Sequence, residues 1–187
     1  LCTIAMKIPP LRPFIIAESP PLRNGGFCGI LCRMNTVIVA EKPSVGRDIA
    51  RVLGANRPGD GCLSGNNYIV TWALGHLVSL MEPDELDERY RRWRMADLPI
   101  LPADIPLKVL PATRSQFAIV KKLMNDKDTG EIVCATDAAR EGELIFRYIY
   151  RMAGCKKPVK RLWISSMTDA AIRKGFAELR PAADYDA

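Results

Sequence analysis

Short runs of mostly apolar residues alternate along this chain with stretches whose apolar residues recur at helical spacing. Three of the runs are Thr36–Ala40, Glu131–Thr136 and Val159–Ile164, and Asn67–Thr71 has the same character. A run without regular polar alternation is typical of a strand that is buried on both faces, as in parallel sheets covered by helices. The sequence therefore predicts an α/β fold, with a mostly parallel sheet flanked by helices.

The helical stretches have recognisable ends. Ser44 is a favourable N-cap for the first helix and Gly54 ends it, while Thr168 caps the last helix. Ser115–Met124 has the pattern of an amphipathic helix between them. Residues 81–111 are rich in proline and charge, which predicts an irregular excursion with one helical turn.

Residues 1–33 differ in composition from the rest of the chain. Five prolines and three glycines interrupt them, so no helical or strand period is sustained. We predict an irregular N-terminal extension over 1–33, a remnant of upstream translation or of expression, with Met34 as the natural start. Residues 34–187 are predicted to hold one domain and the beginning of the region that follows it.

Composition sets the class of protein. The 187 residues carry a formal net charge of +6, which permits nucleic-acid binding without demanding it. The six cysteines are scattered without a C-x-x-C pair and only one histidine is present, so we expect free thiols in a reducing cytoplasm rather than a zinc site. No apolar run reaches the roughly 18 residues that a membrane helix needs, so we expect no membrane partner.

Acidic residues follow two of the predicted strands. Glu41 comes directly after the first strand, Asp137 directly after the strand that ends at Thr136, and Glu141 four residues later. The carboxyl ends of parallel strands meet at one edge, where α/β proteins bind ligands. Carboxylates gathered there favour Mg²⁺, which can hold a phosphodiester oxygen while a nearby carboxylate moves a proton. The alternative is three unrelated acids, with Glu141 favoured only by the helix dipole.

Three further positions have a functional and a structural interpretation. Gly142 lies in a helical turn, where glycine costs roughly 1 kcal/mol relative to alanine, so it indicates close backbone packing, room for a ligand or only a turn. Trp93 stands among arginines, either to stack on a base beside phosphate contacts or to pack inward from a solvated charge run. His76 is a phosphate ligand or a structural histidine. Trp72 and Trp163 are predicted core residues.

Five phrases resemble a known family. Ala40–Ser44 and Thr136–Glu143 resemble the two signature segments of the TOPRIM domain. The phrases Val70–Leu77, Trp93–Pro99 and Arg161–Ser166 resemble bacterial type IA DNA topoisomerases of the topoisomerase III class. The resemblance runs from about residue 34 to the end and implies a Rossmann-like TOPRIM sheet.

The resemblance implies roles for individual residues. Glu41 matches the glutamate that assists proton transfer and metal binding beside the scissile phosphate, and Lys42 the lysine that supports this phosphate. Asp137 and Glu141 match the acids that hold Mg²⁺ together with Glu41. Arg140 matches a position that faces DNA phosphate, with a surface salt bridge as the alternative.

The implied activity is ATP-independent cutting and rejoining of one DNA strand, in the cytoplasm at the nucleoid. The partner would be a single-stranded segment of underwound duplex, contacted by Trp93, Arg140 and His76, and no nucleotide cofactor is expected. Ala139 departs from the Asp-x-Asp pattern of many TOPRIM proteins, and the family's tyrosine nucleophile lies in a later domain. We therefore expect the isolated fragment to be inactive. The alternatives are a primase-like or nuclease-like TOPRIM enzyme, or a non-catalytic DNA-binding gene remnant.

Overall fold

The computed structural model describes residues 34–185, and the prediction for residues 1–33 lies outside this range. The described part contains nine strands and five α-helices. The strands are β1 (Asn35–Ala40), β2 (Arg57–Gly59), β3 (Cys62–Gly65), β4 (Tyr68–Trp72), β5 (Val78–Leu80), β6 (Leu107–Val109), β7 (Thr129–Ala135), β8 (Val159–Arg161) and β9 (Arg180–Pro181). The helices are α1 (Pro43–Leu53), α2 (Pro83–Leu86), α3 (Arg114–Asn125), α4 (Arg140–Ala153) and α5 (Asp169–Ala177).

Seven of the strands form one sheet in the order β2-β3-β4-β1-β7-β8-β9. The four central strands β4, β1, β7 and β8 run parallel to one another, whereas the pairings β2–β3, β3–β4 and β8–β9 towards the two edges are antiparallel. Strands β5 and β6 pair separately and antiparallel. The prediction of a mostly parallel sheet is confirmed, and its antiparallel edges are an addition.

The central strands are covered on both faces because successive side chains of a strand point in opposite directions. In β1, Val37 and Val39 belong to the core cluster that includes residues of α3 and α4. Ile38 and Ala40 belong to the cluster that includes residues of α1 and α5. All four are fully buried, which explains why this run has no polar alternation.

The helix ends agree only partly with the sequence prediction. Helix α1 begins at Pro43 with Lys42 as its N-cap, so the assignment of Ser44 as N-cap was wrong. Proline is favoured in the first helical turn because it has no amide hydrogen to leave unpaired there. Gly54 ends α1 as predicted, at a positive φ of 74°. Thr168 caps α5 as predicted, since its hydroxyl accepts a hydrogen bond from the amide of Ala171.

The predicted irregular excursion is confirmed. Between β5 and β6 the chain forms only the four-residue helix α2 and 3-10 turns at Glu88–Arg91 and Met95–Asp97. The β2–β3 hairpin was not predicted. Trp163 is 49% exposed, so its assignment to the core was wrong, whereas Trp72 packs partly buried against the core. From residue 34 to 185, no helix combines the length and the apolar content needed to cross a membrane.

Candidate active site

Strands β1 and β7 end side by side at the middle of the sheet. Ala40 and Ala135 are partners in the register of these two parallel strands. After β1 the chain returns through α1 to β4 on one side of β1, and later through α3 to β7 on the other. Such a reversal of strand order leaves a crevice at the carboxyl ends, where open α/β sheets bind their ligands. Glu41 leaves β1 and Asp137 leaves β7 at this crevice.

Glu41 is held in place by one hydrogen bond and one ion pair. Its Oε2 accepts a hydrogen bond from the backbone N–H of Asp137 at 3.1 Å, which ties the end of β1 to the end of β7. Lys42 Nζ lies 3.4 Å from the other oxygen, Oε1. The side chain of Glu41 is 12% exposed and that of Lys42 is 58% exposed. The carboxylate is therefore largely buried, and the ammonium group beside it is accessible to solvent or to a bound anion.

The turn that carries Asp137 is packed tightly against α4. Ala139 donates its N–H to the carbonyl oxygen of Asp137 at 2.8 Å, so the turn closes just before the helix begins. A Cβ at Gly142 would lie 2.3 Å from that same carbonyl oxygen, which is closer than atoms can approach. Close backbone packing thus explains Gly142, one of the interpretations offered by the sequence. The Asp137 carboxylate is exposed and has no hydrogen bond or ion pair with any other residue between 34 and 185.

Glu141 and His76 approach each other at the same edge. His76 Nε2 lies 3.5 Å from Glu141 Oε1, with 41% of the His76 side chain and 77% of the Glu141 side chain exposed. The Gly75–Leu77 segment that carries the histidine follows β4, the other neighbour of β1. The phosphate contact of His76 remains a prediction. The Glu141 carboxylate beside it would repel a phosphate, which weighs against that contact.

The predicted metal ligands fit a hydrated cation better than a closed cage. Within 34–185, no group of three or more His, Cys, Asp or Glu side chains is close enough together to hold a metal ion. Glu41, Asp137 and Glu141 lie at one edge of the sheet as expected, but the expected three-carboxylate cluster is not formed. Mg²⁺ commonly binds through one or two carboxylates and keeps several waters. The unpaired, exposed Asp137 carboxylate fits that chemistry, and Glu41 or Glu141 would have to supply any second carboxylate oxygen.

Comparison with known proteins identifies the fold that carries this edge. The family model of the Toprim domain matches residues 36–167, about seven tenths of the chain. The chain belongs to the Toprim family. Full-length topoisomerase I from Thermotoga maritima has a similar structure, with a TM-score of 0.50 and 23% identity over 78% of this chain and 21% of that one. This similarity supports the Toprim fold predicted from the sequence.

The Toprim chain also has curated relatives of higher identity. It is 54% identical over 149 residues to DNA topoisomerase 3 of Shouchella clausii, covering 80% of this chain and 20% of the relative. It is 53% identical over 151 residues to DNA topoisomerase 3 of Bacillus subtilis, covering 81% and 21%. The resemblance to the topoisomerase III class is thereby confirmed. The chain spans about a fifth of the length of these relatives.

A buried arginine of the Toprim sheet supports the Asp137 turn and was missed by the sequence analysis. Arg161, the last residue of β8, is 1% exposed. Its guanidinium donates to the carbonyl oxygens at the end of β7 and in the following turn, namely those of Cys134 at 3.1 Å, Thr136 at 2.8 Å and Asp137 at 2.7 Å. The Cys134 carbonyl also accepts from the amide of Leu162 and the Asp137 carbonyl from that of Ala139, so the guanidinium adds a second donor at both. Its bonds fix the peptide groups on either side of the Asp137 side chain.

Glu143 balances the charge of this arginine. Arg161 Nε lies 3.0 Å from Glu143 Oε2, and Arg147 donates to Glu143 Oε1 at 2.8 Å. The sequence signal was a pair of charged residues, Lys160 and Arg161, inside the predicted strand Val159–Ile164. That signal indicates a buried ion pair but does not name its partner, because Glu143 is 18 positions away on α4.

The other two predicted DNA contacts of the Toprim chain are exposed. Arg140 opens α4, and its side chain forms no hydrogen bond or ion pair with the rest of residues 34–185. The predicted alternative, a surface salt bridge, is therefore not observed in this part of the chain. Trp93 lies between the two 3-10 turns of the excursion and is 77% exposed, so it does not pack inward. Both side chains are accessible, and their contact with DNA remains a prediction.

Proposed function

We propose that this chain is the phosphate-handling and Mg²⁺-binding part of a type IA DNA topoisomerase of the topoisomerase III class. The supporting observation is the anchored Glu41 carboxylate beside Lys42 at the strand-order reversal of a Toprim sheet. The identity of about 54% to proteins named DNA topoisomerase 3 supports the choice among Toprim enzymes. The reaction is ATP-independent cutting and rejoining of one DNA strand.

Each residue at the edge has a distinct role in this proposal. The exposed Lys42 ammonium binds the scissile phosphate electrostatically, next to the carboxylate that fixes its position. Glu41 moves a proton at the phosphate oxygen, for which its orientation is set by the Asp137 amide. Asp137 would hold Mg²⁺, with Glu141 or Glu41 as the second oxygen donor, and the bound ion would neutralise charge on the phosphate.

The proposed partner is a single-stranded segment of underwound DNA in the bacterial cytoplasm. Arg140 stands at the N-terminal end of α4, next to the turn of Asp137, where it can pair with a backbone phosphate. His76 reaches the same edge beside Glu141. Trp93 offers an exposed ring on which an unpaired base can stack. No nucleotide cofactor has a part in the proposal.

A chimera tests this function without requiring a longer form of this chain. Residues 34–185 replace the matching part of Bacillus subtilis DNA topoisomerase 3, and relaxation of negatively supercoiled plasmid is measured with Mg²⁺. We expect the chimera to relax the plasmid. Glu41→Gln keeps the acceptor for the Asp137 amide but removes the proton-transfer group, so relaxation should slow by about 10²- to 10⁴-fold.

The matched control is Glu178→Gln, the same chemical change at an exposed residue beyond α5. It should relax plasmid at the chimera's rate. Equal rates for Glu41→Gln and Glu178→Gln would show that Glu41 has no catalytic part. A chimera that unfolds at the temperature of the parent enzyme yet relaxes no DNA would instead favour a non-catalytic Toprim module.

A further inference from the structure

A cleft lined almost entirely by arginine lies in the excursion between β5 and β6. Its volume is about 520 Å³ and it is open to solvent. The lining residues are Glu88, Arg89, Arg91, Arg92 and Arg94. Four guanidinium groups and a single carboxylate therefore surround this space, a marked local excess of positive charge in a chain of moderate net charge.

Most of this positive charge has no acidic partner. Arg89 is the exception, since its Nε lies 3.2 Å from Asp87 and its guanidinium stacks on Tyr90. The side chains of Arg91, Arg92 and Arg94 form no hydrogen bond or ion pair within the described part of the chain.

Two of the nearby acids are engaged by other groups. Glu85 in α2 binds Lys108 and the amide of Glu82. The Asp87 carboxylate pairs with the guanidinium of Arg89 and accepts a hydrogen bond from the backbone amide of Arg89. Glu88 lines the cleft itself and Asp97 lines the adjoining depression, so the arginines outnumber the carboxylates around this space. An excess of cations around an open space attracts an anion, and guanidinium groups suit phosphate because their N–H groups match its oxygens.

The cleft adjoins an exposed aromatic ring. A shallow depression next to it is lined in part by Trp93, and Arg92 and Arg94 border both spaces. Trp93 is 77% exposed and Met95 85% exposed, so this apolar surface is open to a ligand. A ligand that satisfies both spaces carries several phosphates together with an accessible planar ring. Single-stranded nucleic acid has both, whereas the bases of a duplex are stacked on one another.

We propose that Trp93 and the arginine cleft form a second binding site for single-stranded DNA, which uses none of the acidic residues at the sheet edge. Arg91, Arg92 and Arg94 bind three backbone phosphates, and Trp93 stacks on a base between them. The choice of DNA over another polyanion rests on the proposed function. Because its groups are cations and a ring, this site binds without Mg²⁺.

The test measures binding of fluorescein-labelled dT12 to the 187-residue chain by anisotropy, in EDTA, between 25 and 200 mM NaCl. Each phosphate contact to a single strand contributes about −0.7 to the slope of log K against log [NaCl]. The triple variant Arg91→Gln/Arg92→Gln/Arg94→Gln should therefore reduce the steepness of this slope by about 2. Its exposed positions leave the core intact, which the thermal midpoint checks.

The matched control is Lys121→Gln/Lys122→Gln/Lys127→Gln. It removes the same three charges from exposed positions on α3 and the turn that follows it, so both variants have the same net charge. The control should keep the parent slope. If the two triple variants lose equal affinity and slope, the effect is one of net charge and the cleft is not a site.

The base contact is tested separately. Trp93→Ala should weaken dT12 binding about 5- to 150-fold without changing the salt slope, since it removes a ring and no charge. Its affinity for a 12-base-pair duplex should stay at the parent value. A parent chain that binds no dT12, or a Trp93→Ala variant that binds as tightly as the parent, would refute the second site.

These outcomes are independent of the proposed catalytic role. Glu41→Gln should bind dT12 in EDTA as the parent does, because Glu41 is not part of the cleft. We call the sheet edge with Glu41, Asp137 and Glu141 the acid edge. A variant that loses plasmid relaxation but keeps the parent salt slope has lost a function of the acid edge and not of the cleft. Conversely, a triple arginine variant with the parent slope refutes the second site and leaves the proposed function standing.

Discussion

Glu41 is the residue on which the geometry of the acid edge depends most. A carboxylate with 12% of its side chain exposed has lost most of its hydration, which is costly unless donors replace the water. The amide of Asp137 supplies a hydrogen bond, and the ammonium of Lys42 supplies a counter-charge. Glu141, by contrast, is 77% exposed and is oriented only by its contact with His76. The orientation of Glu41 is therefore fixed in advance, whereas that of Glu141 can adjust to a ligand.

Among the residues of the acid edge, Asp137 is the one whose loss of charge should lower the affinity for Mg²⁺ most. Asp137→Asn leaves the backbone bonds to Glu41 and Arg161 in place and changes only the exposed carboxylate. We expect Mg²⁺ affinity, measured by titration calorimetry on the 187-residue chain, to fall tenfold or more, since even groups that only orient a metal ligand contribute about 10- to 100-fold. Asp128→Asn, in an exposed turn before β7, is the matched control and should bind as the parent. Equal affinities for both variants would exclude Asp137 as a ligand.

At the scale of secondary-structure elements, the β7–α4 turn is supported from two directions. Helix α4 approaches it so closely at Gly142 that no side chain fits there. Strand β8 supplies Arg161, which donates to the carbonyl oxygens of Cys134 in β7 and of Thr136 and Asp137 in the turn. The N-cap of α4 is Ala139, which has no side-chain oxygen to cap the helix. The turn is therefore held by neighbouring elements rather than by its own side chains.

Removing the Arg161 support should destabilise the whole domain. Arg161→Met removes the counter-charge of Glu143 and the donor to the carbonyls of the turn, and breaking a buried ion pair typically costs about 3–5 kcal/mol. Lys160→Met, one residue earlier in β8, removes a partly exposed pair with Glu131 and should cost less than about 1 kcal/mol. Urea unfolding of the two variants provides the comparison. If Arg161→Met is no less stable than Lys160→Met, the arginine does not carry the turn.

The elements themselves differed in how far they could be predicted. Strand β1 was predictable because it is buried on both faces and bounded by a helix start. The β2–β3 hairpin was not, since its three- and four-residue strands are too short for a period and its turn depends on a positive φ of 60° at Gly61. The N-cap of α1 was misassigned to Ser44 because a good capping side chain is irrelevant when Pro43 already sets the first turn.

At the scale of the whole molecule, the sequence located the acid edge but not what lies beneath it. Glu41 and Asp137 were predictable as neighbours because both directly follow central parallel strands. The contact between Arg161 and Glu143 joins two different elements, and no local pattern specifies it. The same limit applies to the metal ligands, since a strand-end position fixes where a carboxylate starts and not where its oxygens point. Long-range pairs of charged residues thus required the folded structure.

The buried core should also give the molecule a characteristic loss of stability in alkaline solution. Burial raises the pKa of the Cys134 thiol in β7 to about 11 and that of Tyr150 in α4 to about 12, and both belong to the same core cluster. In the unfolded chain these groups ionise at their ordinary pKa values, 9.0 for the thiol and 10.0 for the phenol. Between those values and the folded ones, the folded state retains protons that the unfolded state has lost. The free energy of unfolding must therefore fall as pH rises.

For Cys134 alone, a pKa raised from the value of 9.0 to about 11 corresponds to a loss of about 3 kcal/mol, completed as pH passes 11. Urea unfolding of the parent and of Cys134→Ala at pH 7, 9, 10 and 11 measures it. The packing cost of removing the thiol appears at pH 7, where the thiol is protonated in both states. Above pH 9 the variant should lose less stability than the parent, because it has no thiol to ionise. Parallel loss in the two proteins would mean that Cys134 is reached by solvent before the domain unfolds, and that the core at the base of the acid edge opens locally.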